Sequence, residues 1–233
     1  MMRQEKVVGV IGGMGPQATV DFMRRLVEAV PAVEDSDHLH VIADNNAKVP
    51  SRIRALVEGG GEDPAPVLIE MARKLERAGA QLLVIPCNTA HYYVPAITSA
   101  VTVPVLDMIT ASIERLNLMS PRPRKIGILA SKAVRLVGFL ERRLQSAGFE
   151  SIFPAVDDEG ELMEAIRSVK SGSIGPAEAE ILGAVANRLE ESGAEALLVA
   201  CTELSLLPAP RTSLPLLDTL DVLVEATVRV ARG

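Results

Sequence analysis

The sequence predicts an α/β fold of two pseudo-symmetric domains, each a mostly parallel sheet flanked by helices, with the active site in the cleft between the domains. Three observations support this prediction. Short apolar segments of strand length alternate with longer segments of helical period, as in βαβ units. Several helical segments end at a glycine, which readily adopts the positive φ of a helix C-terminus. The two halves of the chain also repeat each other in sequence.

Strands are predicted where short apolar runs are bounded by polar residues, glycine or proline. In chain order they are 7–11, 38–43, 82–86, 103–107, 125–130, 151–155, 197–200 and 215–218. The clearest helices are predicted at 18–30, 65–77, 134–147, 176–192 and 220–231, several of them closed by Gly79, Gly148 and Gly193. The segment NLMSPRPRK, with two prolines and three basic residues, is predicted to be a linker. We assign residues 1–109 and the C-terminal helix 219–233 to the first half, and 110–218 to the second.

Three matched sequence blocks relate the two halves. KVVGVIGGMGPQATVDFMRRL, from Lys6, aligns with RKIGILASKAVRLVGFLERRL, from Arg124, and both blocks close with Arg-Arg-Leu. LERAGAQLLVIPCNT then aligns with LEESGAEALLVACTE, and VPVLD with LPLLD. Similar composition alone would not place identical residues in the same order in both halves of the chain. The alignment places Cys87 opposite Cys201, and the chain has no other cysteine.

Composition excludes several functional classes. A net charge of -6 and a pI near 5.2 argue against broad binding to nucleic acid or to an anionic membrane. The sequence begins without the apolar region of a signal peptide, and no apolar run approaches the roughly 18 residues of a membrane span. We therefore expect a cytoplasmic protein. Two cysteines without a CxxC pair or a Cys/His cluster suggest neither a disulfide framework nor a metal site.

Both cysteines follow predicted strands, and ligands of parallel sheets bind beyond the carboxyl ends of the strands. We expect the two thiols to approach one ligand from opposite sides, which suits removal of a proton from one face of a carbon and its return to the other. Helix N-termini at CNTA and CTEL, aided by the hydroxyls of Thr89 and Thr202, are expected to lower the thiol pKa and to hold a carboxylate. The alternative is that both cysteines are ordinary core residues without a chemical role, because free cysteine is commonly buried. The repetition favours the chemical role.

The glycine-rich segment after the first strand is a second candidate. GMGPQA matches the dinucleotide pattern G-x-G-x-x-A, but Asp44 lies about 30 positions beyond its first glycine rather than the roughly 20 of that pattern. A turn that lets the backbone approach a small anionic ligand fits equally well. A tight turn into a helix that begins at Pro16 explains some of the glycines but not all four.

Two basic residues lie in polar loops, Arg52 in NNAKVPSR and Lys170 in VKSGSIGP. Isolated basic residues are usually solvated, so spacing alone does not assign either to a ligand. His91, one turn after Cys87, is either a proton relay or a hydrogen-bond partner of its loop.

By GVIGGMGPQAT, PCNTAH and ACTEL, in this order and spacing, the sequence resembles the aspartate/glutamate racemase family over essentially its whole length. The resemblance implies a homodimer that racemises a small amino acid, aspartate before others, by a two-base mechanism without pyridoxal phosphate. It implies Cys87 and Cys201 as the catalytic pair. The substrate-binding residues that it implies are Asn88, Thr89 and Thr202 for the α-carboxylate, Arg52 and Lys170 for a side-chain carboxylate, and Met14 in the glycine-rich loop.

The chain departs from the family pattern at Ser51, where Asp is common, and at Val134 and Val137, where hydroxyls are common. Glutamate or a broader set of amino acids therefore stays open as substrate. Two other classes stay open as well. One is a same-fold isomerase or racemase of another small acid, such as maleate or a hydantoin. The other is a non-catalytic protein that binds dicarboxylates.

Overall fold

The structure, a computed structural model, describes residues 5–233 and divides them into two compact units. The first unit comprises residues 5–108 and Leu220–Gly233, and the second comprises Ile109–Thr219. The strands of the described chain are β1 (Val8–Gly12), β2 (Val41–Asn45), β3 (Leu82–Val84), β4 (Lys125–Ala130), β5 (Glu150–Ile152), β6 (Ala196–Ala200) and β7 (Leu216–Asp218).

Helices connect most of these strands, so that each sheet is built mainly from βαβ crossovers; between β6 and β7 there is only the 3₁₀ helix Leu204–Leu206. The α-helices are α1 (Pro16–Glu28), α2 (Ala65–Arg77), α3 (Val94–Thr98), α4 (Met108–Asn117), α5 (Lys132–Val137), α6 (Phe139–Ser146), α7 (Val156–Lys170), α8 (Pro176–Glu191) and α9 (Thr219–Arg232). None of the helices in residues 5–233 is long and apolar enough to cross a membrane.

The first unit contains a parallel sheet with the strand order β2-β1-β3. Leu68, Met71 and Leu75 of the amphipathic helix α2 are buried in the core cluster that also contains Cys87. A second cluster joins β1 to residues of α1 and α9. The predicted strand at 103–107 reduces to a single parallel bridge between Leu83 and Val105, because only Pro104 and Leu106 exchange hydrogen bonds with Leu83.

The second unit contains a parallel sheet with the strand order β5-β4-β6-β7, against which α8 packs. Helix α7, which packs on α8, was not predicted, and Lys170 is its last residue rather than a loop residue. The predicted helix 134–147 is two helices, because Gly138 adopts a φ of 67° between α5 and α6.

The predicted linker NLMSPRPRK lies inside the second unit, so this prediction is wrong. Its backbone is fixed between α4 and β4 by contacts to the rest of the unit. Arg122 donates a hydrogen bond to the carbonyl of Ala147 (2.8 Å) and lies over the ring of Phe149, while the N–H of Arg124 donates to Glu195. The prolines mark a loop within a unit.

The sequence repeat is present in the backbone. Leu83 in the first unit and Leu197 in the second are equivalent in the alignment, and each donates its N–H over 2.9 Å to the carbonyl of a proline, Pro104 and Pro215 respectively. The two units are therefore built on one plan, as the pseudo-symmetric α/β prediction required.

Candidate active site

Cys87 follows β3 at the carboxyl end of the first sheet, where a tight turn buries it. The N–H of Cys87 donates to the carbonyl of Ile85 (2.8 Å), and the next residues form a short 3₁₀ helix, Thr89–Tyr93. This helix is too short to supply the dipole that the sequence prediction assigned to it, because a helix dipole grows from aligned peptide units. The hydroxyl of Thr89 makes no hydrogen bond within the described residues and remains available to a ligand.

His91 fixes the turn that carries Cys87. The amide N–H of Met108 donates to Nε2 of His91 (3.0 Å), so Nε2 is the unprotonated nitrogen. Nδ1 carries the proton and donates to the carbonyl of Cys87 (2.9 Å). Because both ring nitrogens are engaged by the backbone, the structure favours the hydrogen-bonding role of His91 over the proton relay.

The glycine-rich turn after β1 is shaped by contacts within the first unit. Gly13 has a φ of 94°, and a Cβ there would lie 2.2 Å from the backbone of Asn46. A Cβ on Gly12 would lie 2.4 Å from the side chain of Thr19, whose hydroxyl accepts the N–H of Gly13 (3.0 Å). Internal packing therefore explains Gly13, the first glycine of the dinucleotide pattern, and Gly12 before it.

Arg52 lies against this turn and is half-buried. Its Nη2 donates to the carbonyl of Met14 (3.3 Å) and its Nη1 to the carbonyl of Pro50 (3.1 Å). Arg52 makes no ion pair within residues 5–233, so its charge is not neutralised by a carboxylate there. The structure thus brings together Arg52 and Met14, and Met14 shares a core cluster with Cys87.

Cys201 follows β6 at the carboxyl end of the second sheet and is buried beside a carboxylate. Its Sγ donates to Oε2 of Glu203 over 3.2 Å. Oε1 of Glu203 lies 3.6 Å from Nζ of Lys170, whose side chain is 40% exposed. Of the residues predicted for the second half, Lys170 and Cys201 are therefore joined through Glu203, and Thr202 is buried between Cys201 and Glu203 in the chain.

The pKa of Cys201 is raised well above its usual range. Burial is the largest cause, and the charge of the Glu203 carboxylate adds to it, while Lys170 opposes the shift. The sequence predicted a lowered pKa from a helix N-terminus, and for Cys201 that prediction is wrong. CTEL leads into a 3₁₀ helix of only three residues, Leu204–Leu206, whose dipole is too small to outweigh burial. Cys201 is a thiol at neutral pH and can act as a proton donor.

Sequence reasoning left two residues without a role. Glu203 carries a signal in ACTEL, where a carboxylate stands two positions after the cysteine, but the sequence does not show that it turns back to the thiol. Tyr93 follows Cys87 by six positions and shares its core cluster. Nothing in its sequence context separates it from an ordinary core aromatic residue.

Two parallel α/β units of one plan, each with a cysteine after the carboxyl end of a strand paired with the first strand of its unit, place the chain in the class of two-domain α/β racemases. The chain belongs to the Asp/Glu/hydantoin racemase family, because the sequence model of that family matches residues 11–227. Its known relatives agree. The chain is 24% identical over 234 residues to the broad specificity amino-acid racemase RacX of Bacillus subtilis, covering 95% of this chain and 96% of that protein.

Solved structures give the same result. An aspartate racemase from Picrophilus torridus superposes with a TM-score of 0.85 at 28% identity, covering 97% of this chain and 94% of that one. A glutamate racemase from Francisella tularensis, in complex with D-glutamate, has the same fold, with a TM-score of 0.67 at 16% identity over 97% of this chain and 80% of that one.

Proposed function

We propose that this chain racemises an amino acid without pyridoxal phosphate, using Cys87 and Cys201 as paired acid and base, with aspartate as its preferred substrate. The observation that carries the proposal is the state of Cys201. It is a buried thiol that donates to Glu203, and it stands at the repeat equivalent of Cys87. One thiol poised as a proton donor, matched by a second thiol at the related strand end, is what two-base racemisation requires.

The proposed reaction moves two protons and leaves the enzyme charge unchanged. Cys87, as the thiolate, takes the α-proton from one face of the substrate and becomes a thiol. Cys201 gives its proton to the opposite face and becomes a thiolate. One C–H bond breaks and one forms, so the substrate changes only its configuration. For the other enantiomer the two thiols exchange roles.

The carbanion formed between these two steps has no cofactor as an electron sink, so bound donors must stabilise it. The hydroxyls of Thr89 and Thr202, together with Asn88, are proposed to hold the α-carboxylate and to stabilise the negative charge that develops on it. Once Cys201 is a thiolate it lies beside the Glu203 carboxylate, and this repulsion favours its reprotonation. Lys170, 3.6 Å from Glu203, offsets part of the repulsion.

The charges around the two thiols support an acidic substrate. Arg52 has two backbone hydrogen bonds but no carboxylate partner in the described chain, so its charge is available to a substrate side chain. Lys170 is already paired with Glu203 and contributes less. Preference for aspartate therefore depends mainly on Arg52. The similar proteins include both an aspartate racemase and a broad specificity amino-acid racemase.

The test is incubation of the protein with single enantiomers of aspartate, glutamate and alanine in D2O. We expect α-deuterated product of both configurations, formed fastest from aspartate. Cys87→Ser and Cys201→Ser should each abolish racemisation. Because the chain has no third cysteine for a matched control, the urea unfolding midpoint of each variant must show that it is folded. Turnover of maleate, with no α-proton exchange on any amino acid, would replace this proposal with a same-fold isomerase.

A further inference from the structure

The hydroxyl of Tyr93 is a buried polar group without a hydrogen-bond partner. Tyr93 is 6% exposed, and its Oη finds neither donor nor acceptor among the described residues. A buried tyrosine hydroxyl normally makes a hydrogen bond, because leaving it unpaired costs about 1–3 kcal/mol. Its ring is fixed edge-on against Tyr92, with centroids 5.2 Å apart. The protein tolerates the cost of this unpaired hydroxyl in the core cluster that also contains the candidate catalytic residue Cys87.

A second unpaired donor belongs to Arg52. While both of its terminal nitrogens are bound to carbonyls, its Nε is buried and lacks an acceptor. Tyr93 packs in the same core cluster as Met14, whose carbonyl binds Arg52, and Val49, which precedes Pro50. The charge of Arg52 acts on the Tyr93 hydroxyl, so the two groups lie within electrostatic range. Two buried donors without acceptors therefore lie within electrostatic range of each other, and Tyr93 shares its core cluster with Cys87.

The protonation state of Tyr93 suits a donor. Burial is the largest of the causes that raise its pKa to about 12, and Asp63 adds to the shift while Arg52 opposes it. The hydroxyl therefore keeps its proton at neutral pH. Asp63 is an alternative acceptor, but it is exposed, and its Oδ1 already accepts the N–H of Ala65 (3.0 Å) before α2.

We propose that Tyr93 is a further substrate-binding residue whose hydroxyl, with Nε of Arg52, donates to the side-chain carboxylate of an acidic substrate. The inference rests on the proposed function for the nature of the substrate. It adds a neutral donor to the charge of Arg52, and a directed hydrogen bond discriminates a carboxylate from an apolar side chain of similar size.

The experiment compares Tyr93→Phe with Tyr92→Phe, a matched control at the neighbouring, 45% exposed tyrosine. Binding of succinate, a dicarboxylate without an α-amino group, is measured by calorimetry. Tyr93→Phe should weaken succinate binding by about tenfold or more, the value of a hydrogen bond to a charged group. Tyr92→Phe should bind succinate like the wild type. Wild-type affinity in Tyr93→Phe would overturn the assignment.

Unfolding separates a binding role from a structural one. In the ligand-free protein Tyr93→Phe removes an unpaired hydroxyl, so its urea midpoint should equal or exceed that of the wild type. Succinate should raise that midpoint less in the variant than in the wild type. A clearly lower midpoint without ligand would show that the hydroxyl has a structural partner and would contradict the proposal.

Failure of the inference and failure of the proposed function give different results. A wild-type protein that binds succinate but racemises no amino acid would refute the racemase proposal, and the Tyr93 assignment would then stand or fall on binding alone. A wild-type protein that racemises neutral amino acids but binds no succinate would keep the racemase and refute the role of Tyr93.

Discussion

The thiol of Cys201 donates to the carboxylate of Glu203 over 3.2 Å, and both side chains are buried. A carboxylate beside a thiol opposes ionisation of the thiol, because the thiolate would place two negative charges side by side. The pair therefore keeps the Cys201 thiol protonated in the ligand-free protein. Lys170, on the other oxygen of Glu203, works in the opposite sense. Each of these contributions can be removed separately.

Glu203→Gln should lower the pKa of Cys201. The change removes the second-largest cause of the raised pKa and leaves burial, the largest cause, so the pKa should fall while staying above its usual value. The measurement is the pH dependence of thiolate absorbance in a Cys87→Ser background, where Cys201 is the only thiol. Glu191→Gln, at an exposed position, is the control. An unchanged midpoint would show that the carboxylate does not act on the thiol.

Lys170→Gln should shift the same titration the other way. Lys170 lowers the pKa of Cys201, so the variant should ionise at higher pH than the wild type. The shift should be smaller than that of Glu203→Gln, because the Lys170 side chain is 40% exposed and water screens its charge. Lys125→Gln, at the amino end of β4, is the control. A fall of the midpoint would contradict the geometry.

Arg52→Gln should reduce selectivity for acidic substrates. Loss of a charged donor to a substrate carboxylate costs about 1.5–3 kcal/mol, or about 10- to 160-fold in kcat/KM. We expect this loss in the ratio of kcat/KM for aspartate to that for alanine, measured by chiral chromatography. Arg54→Gln, exposed and two positions away, should leave the ratio unchanged. Equal losses on both amino acids would mean that Arg52 only supports the Met14 turn.

The sequence predicted best where apolar pattern alone decides the structure. Helix α2 and strand β4 were predicted residue for residue, and Gly79, Gly148 and Gly193 have the positive φ expected of helix ends. Helix α7 was missed because the strongly acidic start of VDDEGELMEAIRSVK and its early Gly160 obscure the pattern, although Leu162, Ala165, Ile166 and Val169 are spaced as one buried helix face. In the structure this helix packs on α8.

In the candidate site too, features set by sequence order were predicted and features set by tertiary packing were not. The repeat and the strand ends located Cys87 and Cys201, since sequence order fixes which residues follow a strand. The pKa of Cys201 was predicted in the wrong direction, because burial depends on tertiary packing that the sequence does not show. The unpaired hydroxyl of Tyr93 was invisible for the same reason.

Gly9 and Gly127 are equivalent in the sequence repeat, so substitutions there test whether the two halves share the same close packing. A Cβ on Gly9 would lie within 3.3 Å of Leu75, Ala80 and Leu83, and a Cβ on Gly127 would meet the three repeat-equivalent residues, Leu189, Ala194 and Leu197. Gly9→Ala and Gly127→Ala should each lower the free energy of unfolding by about 1–3 kcal/mol through overpacking. Gly183→Ala, in the interior of α8 with open space around it, should instead raise it by about 0.5–1 kcal/mol. Urea titrations provide the comparison, and a neutral Gly127→Ala would show that the second copy does not share the close packing of the first.

Gly13→Ala should be more destabilising than Gly60→Ala, although both glycines have a positive φ. The left-handed conformation costs an alanine about 1–2 kcal/mol at either position. At Gly60 nothing lies within 4 Å of the added Cβ, whereas at Gly13 the Cβ would meet the backbone of Asn46 at 2.2 Å, and backbone cannot rotate away as a side chain can. We therefore expect Gly13→Ala to cost at least about 2 kcal/mol more in urea titrations.

Gly13→Ala should also displace the neighbouring carbonyl of Met14, which accepts a hydrogen bond from Arg52. Succinate binding should then weaken in Gly13→Ala and stay unchanged in Gly60→Ala, since only the first alters the support of the guanidinium. If Gly13→Ala were tolerated, the glycines would not be required by packing, and a ligand approaching their backbone would again explain them better. Titration with NAD would then test the dinucleotide alternative, because a pyrophosphate needs the close backbone approach that such glycines allow.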